Sequence, residues 1–210
     1  SFNRNFKNPH NEEEILYIKK NIIEQNNGTK YLFPEISIQK SKKYLLVGPS
    51  GSGKTTLIKN ILNLPSRQLD SNIEFRLNTQ KVSYISTEHE LEFGNISDIV
   101  NKELIIKYED SLDDLLIKVG LKSRLTNTKE LISTNLNSFS SGQKMRIRFL
   151  LELIKNPDLM IIDESFSSLD KKILNDCIKS VNFFNKNLSI LIIDHSSNLD
   201  SLIRYEIKEF

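Results

Sequence analysis

The sequence predicts an α/β fold built on a mainly parallel sheet. Three observations carry that prediction. Short apolar runs of strand length recur at 44–47, 159–162 and 190–193, the pattern of strands covered on both faces. Longer stretches with apolar residues at helical spacing lie between them, so strands alternate with helices. One run leads straight into a glycine-rich loop and then a helix.

The elements follow in order. Residues 1–11 are polar and contain Pro9, and read as a loose tail or linker. Residues 12–20 fit either a short helix or the first strand. Ile36, Ser37, Ile38 and Gln39 alternate apolar and polar, which predicts a half-buried strand. Lys42 and Lys43 read as a turn before the buried strand Tyr44, Leu45, Leu46, Val47. After the loop at 48–53, Leu57, Ile58, Ile61 and Leu62 have helical spacing, and Pro65 ends that helix. Residues 82–85 form another short strand. Residues 97–121 carry helical stretches such as 111–119, with Asp113 and Asp114 in the first turn and Gly120 as the stop. A long helix begins at Ser140 and runs to about Lys155. Residues 159–162 are a buried strand, 171–185 a helix and 188–193 the last clear strand.

Composition sets limits. The chain has 210 residues, 38% hydrophobic, enough for one well-buried core. Its net charge of +2 argues against a nucleic-acid binder driven by bulk charge. Cys177 is the only cysteine, so no internal disulfide is possible, as suits a reducing compartment. No apolar run approaches the ~20 residues of a membrane helix, and the N-terminus lacks a signal-peptide core. A soluble piece is therefore expected. It opens on Ser1, not Met, as a piece cut from a longer chain would, with any membrane segments outside it. The Asn- and Lys-rich stretch at 182–187 reads as composition bias.

Gly48, Pro49, Ser50, Gly51, Ser52, Gly53, Lys54 and Thr55 fit G-x-x-x-x-G-K-[ST] at every position. The match also lies between a strand and a helix, where the chemistry requires it. Glycines let the backbone curl and aim its N–H groups at phosphate oxygens, and the helix N-terminus adds positive charge. Lys54 is expected to reach the β- and γ-phosphates, and the Thr55 hydroxyl to ligate Mg²⁺. Three of the chain's seven glycines fall in this loop, which makes an ordinary Gly/Ser turn a poor explanation.

Asp163 and Glu164 follow the run 159–162. A buried strand ending in Asp delivers its carboxylate to the sheet edge where ligands bind. Asp163 is expected to hold Mg²⁺, and Glu164 to polarise an attacking water. Taken alone, the pair reads equally well as a solvated acidic turn; the phosphate loop upstream decides between the two.

Phe139, Ser140, Ser141, Gly142 and Gln143 open the helix that precedes the acid pair. Here the chain resembles the ATP-binding cassette (ABC) family, whose signature is L-S-G-G-Q. Ser140, Gly142 and Gln143 match it, while Phe139 and Ser141 depart. Ser140 is also a helix N-cap by residue type. Ser167, Ser168, Leu169 and Asp170 resemble the family's S-A-L-D stretch, and His195, after the last strand, its switch histidine. Gly94, Asn95 and Ile96 resemble the G-T-I segment of exporter-type members. The resemblance covers about residues 15–210.

The resemblance implies a P-loop NTPase core with a mainly parallel sheet, an antiparallel β-subdomain and a helical signature subdomain at about 95–150, preceded by a tail at 1–14. It implies that Thr56 contacts the α-phosphate and that Ser140, Ser141, Gly142, Gln143 and Asp170 serve the opposite protomer. Two copies then sandwich MgATP, because Ser140 lies far from Lys54 within one chain of this family. Glu164 handles the water, His195 holds the γ-phosphate, and hydrolysis opens the dimer. The implied partners are a second such domain, most simply in a homodimer, and transmembrane domains, fused or separate. No nucleic acid is expected. The implied function is transport, in the export direction, powered from the cytoplasmic face of a membrane. The rivals are a soluble ABC clamp in DNA repair or on the ribosome, and a non-hydrolysing regulatory module.

Two family positions depart from the pattern. Thr87 stands where a Mg²⁺-sensing glutamine is usual, with Glu88 the possible substitute. The adenine-stacking aromatic falls near Gln25, with Tyr17 and Tyr31 as alternatives. Weaker stacking predicts that GTP competes better here than in a domain that has the aromatic.

Overall fold

A computed structural model describes residues 12–25, 27–65, 73–86, 96, 102–163, 171–195 and 202–209. The chain divides into two compact units. The first is Ser1–Val82, Asp158–Glu164 and Ser189–Phe210; the second is Ser83–Pro157 and Ser165–Leu188.

The strands are β1 (Glu14–Ile18), β2 (Asn21–Glu24), β3 (Lys30–Phe33), β4 (Ile36–Gln39), β5 (Lys43–Val47), β6 (Phe75–Leu77), β7 (Val82–Ser86), β8 (Leu159–Asp163), β9 (Ser189–Asp194), β10 (Ile203–Glu206) and β11 (Lys208–Glu209). Helix α1 (Lys54–Ile61) follows β5. The main sheet has the order β10-β5-β9-β8-β7, the chain leaving the first unit at the start of β7. Strands β10, β5, β9 and β8 run parallel. Two small antiparallel sheets, β4-β1-β6 and β11-β3-β2, complete the first unit. Residues 12–20, for which the sequence leaves helix and strand open, contain strand β1.

The apolar runs fold as expected. All of β8 is buried, as are the first five residues of β9 and the last four of β5. Register keeps the carboxyl ends level: Val47 faces Asp194, and Asp163 faces Ile193. The other end of the sheet is tied by hydrogen bonds. Ser189 Oγ accepts from Ser41 N at 3.0 Å and donates to the Gln39 carbonyl at 3.3 Å. Ile190 N donates to the Lys42 carbonyl at 3.1 Å and Ser189 N to the Asp158 carbonyl at 3.0 Å.

Sheet β4-β1-β6 buries a charge pair. Glu14 pairs with Arg76 and also accepts from Ser37 Oγ at 2.6 Å. A buried carboxylate is tolerated only when so compensated. Tyr205 of β10 donates to the Ser37 carbonyl at 2.8 Å.

The second unit is helical: α2 (Lys102–Lys107), α3 (Glu109–Lys118), α4 (Thr128–Ser133), a 3₁₀ turn (Leu136–Ser138), α5 (Ser141–Ile154) and α6 (Lys171–Phe184). Helix α3 buries Leu112, Leu115 and Leu116, one stripe at helical spacing. It packs on α6, which also packs on α5. Glu152 of α5 is buried but meets three donors: Ser83 Oγ at 3.0 Å, Arg148 at 2.9 Å and Lys155 at 2.9 Å. Among the described residues no helix is long and apolar enough to cross a membrane.

Candidate functional site

Strand β5 ends at Val47 and the phosphate-loop motif begins at once. Gly51 and Gly53 take φ of 75° and 95°, a region that favours glycine. Gly53 is also the N-cap of α1. Gly48 is glycine for a different reason. A Cβ there would lie 2.7 Å from Ile207 Cβ, closer than packed atoms approach. Gly53 rests on β2, where an added Cβ would come within 3.2 Å of Gln25 Nε2 and 3.7 Å of Ile23 Cγ2.

Lys54 is only 3% exposed. Its amine curls back over the loop and donates to the carbonyls of Gly48 and Pro49, each at 2.8 Å. Ser52 is fully buried, and its Oγ has no hydrogen-bond partner among the described residues. A buried hydroxyl with no protein partner suits an anion that brings acceptor oxygens. Pro49, Ser50 and Gly51 are exposed, and Thr55 and Thr56 half-buried.

Asp163 ends β8 at 2% exposure. His195 follows β9 and is exposed; its backbone N–H donates to Asp194 Oδ1 at 2.6 Å. The parallel register therefore brings the loop, Asp163 and His195 to one edge of one sheet. Glu164, Ser167, Ser168, Leu169, Asp170, Thr87, Glu88, Gly94 and Asn95 lie outside the described residues. Ile96 is buried.

In the second unit, Ser140 caps α5. Its Oγ accepts from Gln143 N at 3.3 Å, and its own N–H donates to Gln143 Oε1 at 2.9 Å, a reciprocal capping box. Ser140 and Ser141 are exposed, Gly142 and Gln143 half-buried. Arg146 Nε donates to the Gly142 carbonyl at 3.1 Å.

Neither alternative aromatic stands beside the loop in the described contacts. Tyr31 is buried within β11-β3-β2. Tyr17 sits in the other small sheet with Arg76 5.7 Å from its ring centre. Burial, then a hydrogen bond with Glu35, raises its hydroxyl pKa. Gln25 is the residue that reaches the loop. Ile207 is a residue the sequence expectations missed, although the signal was there: Ile203, Tyr205 and Ile207 alternate with Arg204 and Glu206 as in a half-buried strand.

The chain is 31% identical over 180 residues to a methionine import ATP-binding protein of Lactobacillus acidophilus, covering 76% of this chain and 51% of that protein. It is 31% identical over 182 residues to a spermidine/putrescine import ATP-binding protein of Borreliella afzelii, covering 80% and 51%. The chain thus spans about half the length of these curated relatives. Among solved structures, an ATP-binding cassette of an ABC transporter in its ADP conformation aligns with a TM-score of 0.61 at 20% identity, over 93% of this chain and 90% of that one. That likeness supports the α/β fold. Residues 34–167 match the family described as ABC transporter. A match over that much of the sequence shows that this chain belongs to the ABC transporter family.

Proposed function

We propose that this domain binds MgATP on the loop 48–55 and hydrolyses it between two copies, powering transport across a membrane from its cytoplasmic face. The observation that carries the reading is the shared sheet edge of β5, β8 and β9, which gathers Lys54, Asp163 and His195.

Loop amides, the N-terminus of α1 and Lys54 take the β- and γ-phosphates. In doing so Lys54 exchanges the Gly48 and Pro49 carbonyls for phosphate oxygens. Thr56 meets the α-phosphate. Thr55 and Asp163 bring the oxygen donors that would hold Mg²⁺, which when bound would neutralise charge on the phosphates. Glu164 orients and deprotonates the water, and His195 holds the γ-phosphate. Ser140, Ser141, Gly142 and Gln143 of a second copy close the site, with Asp170 at the protomer boundary. Residues 95–150 form the signature subdomain of this scheme. A homodimer with two equal sites is the simplest assembly, joined to transmembrane domains, fused or separate.

Import is the better supported direction. Both curated relatives described above are named import proteins, whereas export rests on the short match at Gly94, Asn95 and Ile96. The clamp in DNA repair or on the ribosome has no support among those relatives.

The test is steady-state ATPase activity of the chain and of Glu164→Gln, with sizing chromatography in saturating MgATP. Turnover should fall at least about 100-fold in the variant, which should also elute as a dimer. Unchanged turnover would remove Glu164 from the scheme. Stimulation of the unaltered chain by DNA or RNA would favour the clamp instead.

A further inference from the structure

We propose that Ile207 is a positioning residue for the nucleotide, acting through Gly48 on Lys54. The proposal rests on the ATP-binding reading above.

Ile207 joins β10 to β11 and is buried. Its N–H donates to the Val47 carbonyl at 2.8 Å, one residue before the loop. Its side chain fills the space on the α-carbon of Gly48. A Cβ on residue 48 would meet not only Ile207 Cβ but Cδ1 at 3.2 Å and Cγ1 at 3.3 Å. The carbonyl of that same Gly48 accepts from the Lys54 amine at 2.8 Å. A short chain of contacts therefore runs from Ile207 through Gly48 to the cation of the loop.

The far end of the loop rests on the same small sheet. β11 pairs with β3, Lys208 opposite Leu32 and Glu209 opposite Tyr31. β3 pairs with β2, Tyr31 opposite Ile23. Ile23 and Gln25 then support Gly53. Sheet β11-β3-β2 thus holds the first and last glycines of the loop, with Ile207 against one and Ile23 and Gln25 against the other. An anion cradle works by having its donors fixed before the ligand arrives. Ile207 fixes the height of the first residue of that cradle. A cavity in its place lets Gly48 sink, and with it the first amide of the cradle and the carbonyl on which the Lys54 amine rests before the phosphates arrive.

The experiment compares the unaltered chain, Ile207→Ala, Ile207→Val and Ile18→Ala. MgATP affinity, KM, kcat and thermal stability are read for each. Ile18 is fully buried in β1, in a different sheet, and serves as a core truncation away from the loop. For Ile207→Ala, Kd and KM for MgATP should rise about five- to tenfold with kcat within about twofold, as lost preorganisation of a binding cradle weakens affinity. Ile207→Val, which lacks the Cδ1 contact, should fall between. Ile18→Ala should lower the melting temperature and leave KM alone. If Ile207→Ala loses its fold, the valine variant carries the test. A melting temperature lowered without a shift in KM, as for Ile18→Ala, would overturn the proposal. Failure of the unaltered chain to bind MgATP overturns the ATP reading, and this one with it.

Discussion

Arg146 Nη1 donates to the carbonyl oxygen of Val119 at 2.9 Å, and so closes the C-terminal end of α3 from one turn inside α5. The same nitrogen reaches the Gly120 carbonyl at 3.0 Å, while Nε holds Gly142. Burial lowers the Arg146 pKa from its usual value, yet a guanidinium stays charged at any ordinary pH. Arg146→Ala takes the side-chain donor from the Val119 and Gly120 carbonyls at the end of α3. Stability should fall by about 2 kcal/mol, with Arg146→Lys recovering only part, because one ammonium cannot span the fork. Urea unfolding measures this, and an unmoved midpoint refutes it.

Ser140 has two roles that one substitution separates. Ser140→Ala removes the cap of α5 and should cost about 1 kcal/mol. Ser140→Asp keeps a good cap but sets a negative charge where the partner's γ-phosphate is proposed to bind. Its melting temperature should match the unaltered chain, while MgATP-driven dimerisation is lost. A dimer that forms normally with Asp at 140 would show that this helix end does not face phosphate.

Gln25 Nε2 lies beside Gly53, near the position where the family resemblance expects a ring for the base. GTP should compete with ATP within a few-fold for the unaltered chain. Gln25→Tyr should tighten ATP about five- to tenfold, roughly the worth of one aromatic stack. Competition binding with both nucleotides decides. Strong preference for ATP in the unaltered chain counts against the idea.

Cys177 is fully buried on α6. Desolvation pushes its thiol up to about 12, only partly opposed by Arg146. The folded chain therefore keeps this proton at pH values where the unfolded chain loses it. The sign is fixed: stability from this group is complete below the unfolded thiol's pKa near 9 and drains as pH rises towards about 12. The slope is about 1.4 kcal/mol per pH unit. Cys177→Ala should flatten that alkaline limb in urea titrations. Iodoacetamide at pH 8 should label the chain only after denaturation, and rapid labelling of the native protein would contradict the burial.

Strands β5, β8 and β9 of the main sheet and their chemical edge were legible because their signals are local. Four apolar residues before Asp163, a strand before Gly48 and a serine before α5 each declare themselves within a few positions. The small strands do not. β2 and β10 have four residues each, and their pairing with β3 and β5 holds them in place. Glu14 and Arg76 lie 62 residues apart, so no window joins them. Even the first glycine of the loop is explained by Ile207, a neighbour no sequence pattern supplies.

The stitching at Ser189, Ser41 and Lys42 has a consequence for how variation distributes along this molecule. Strands β5, β8 and β9 carry their reactive groups at one extremity and their knots at the other. Substitutions among the knots should erode folding yield while leaving turnover per folded molecule intact, whereas those at the opposite tips should do the reverse. A mutational scan that scores abundance and catalysis separately would sort positions into two bands across the width of a single sheet.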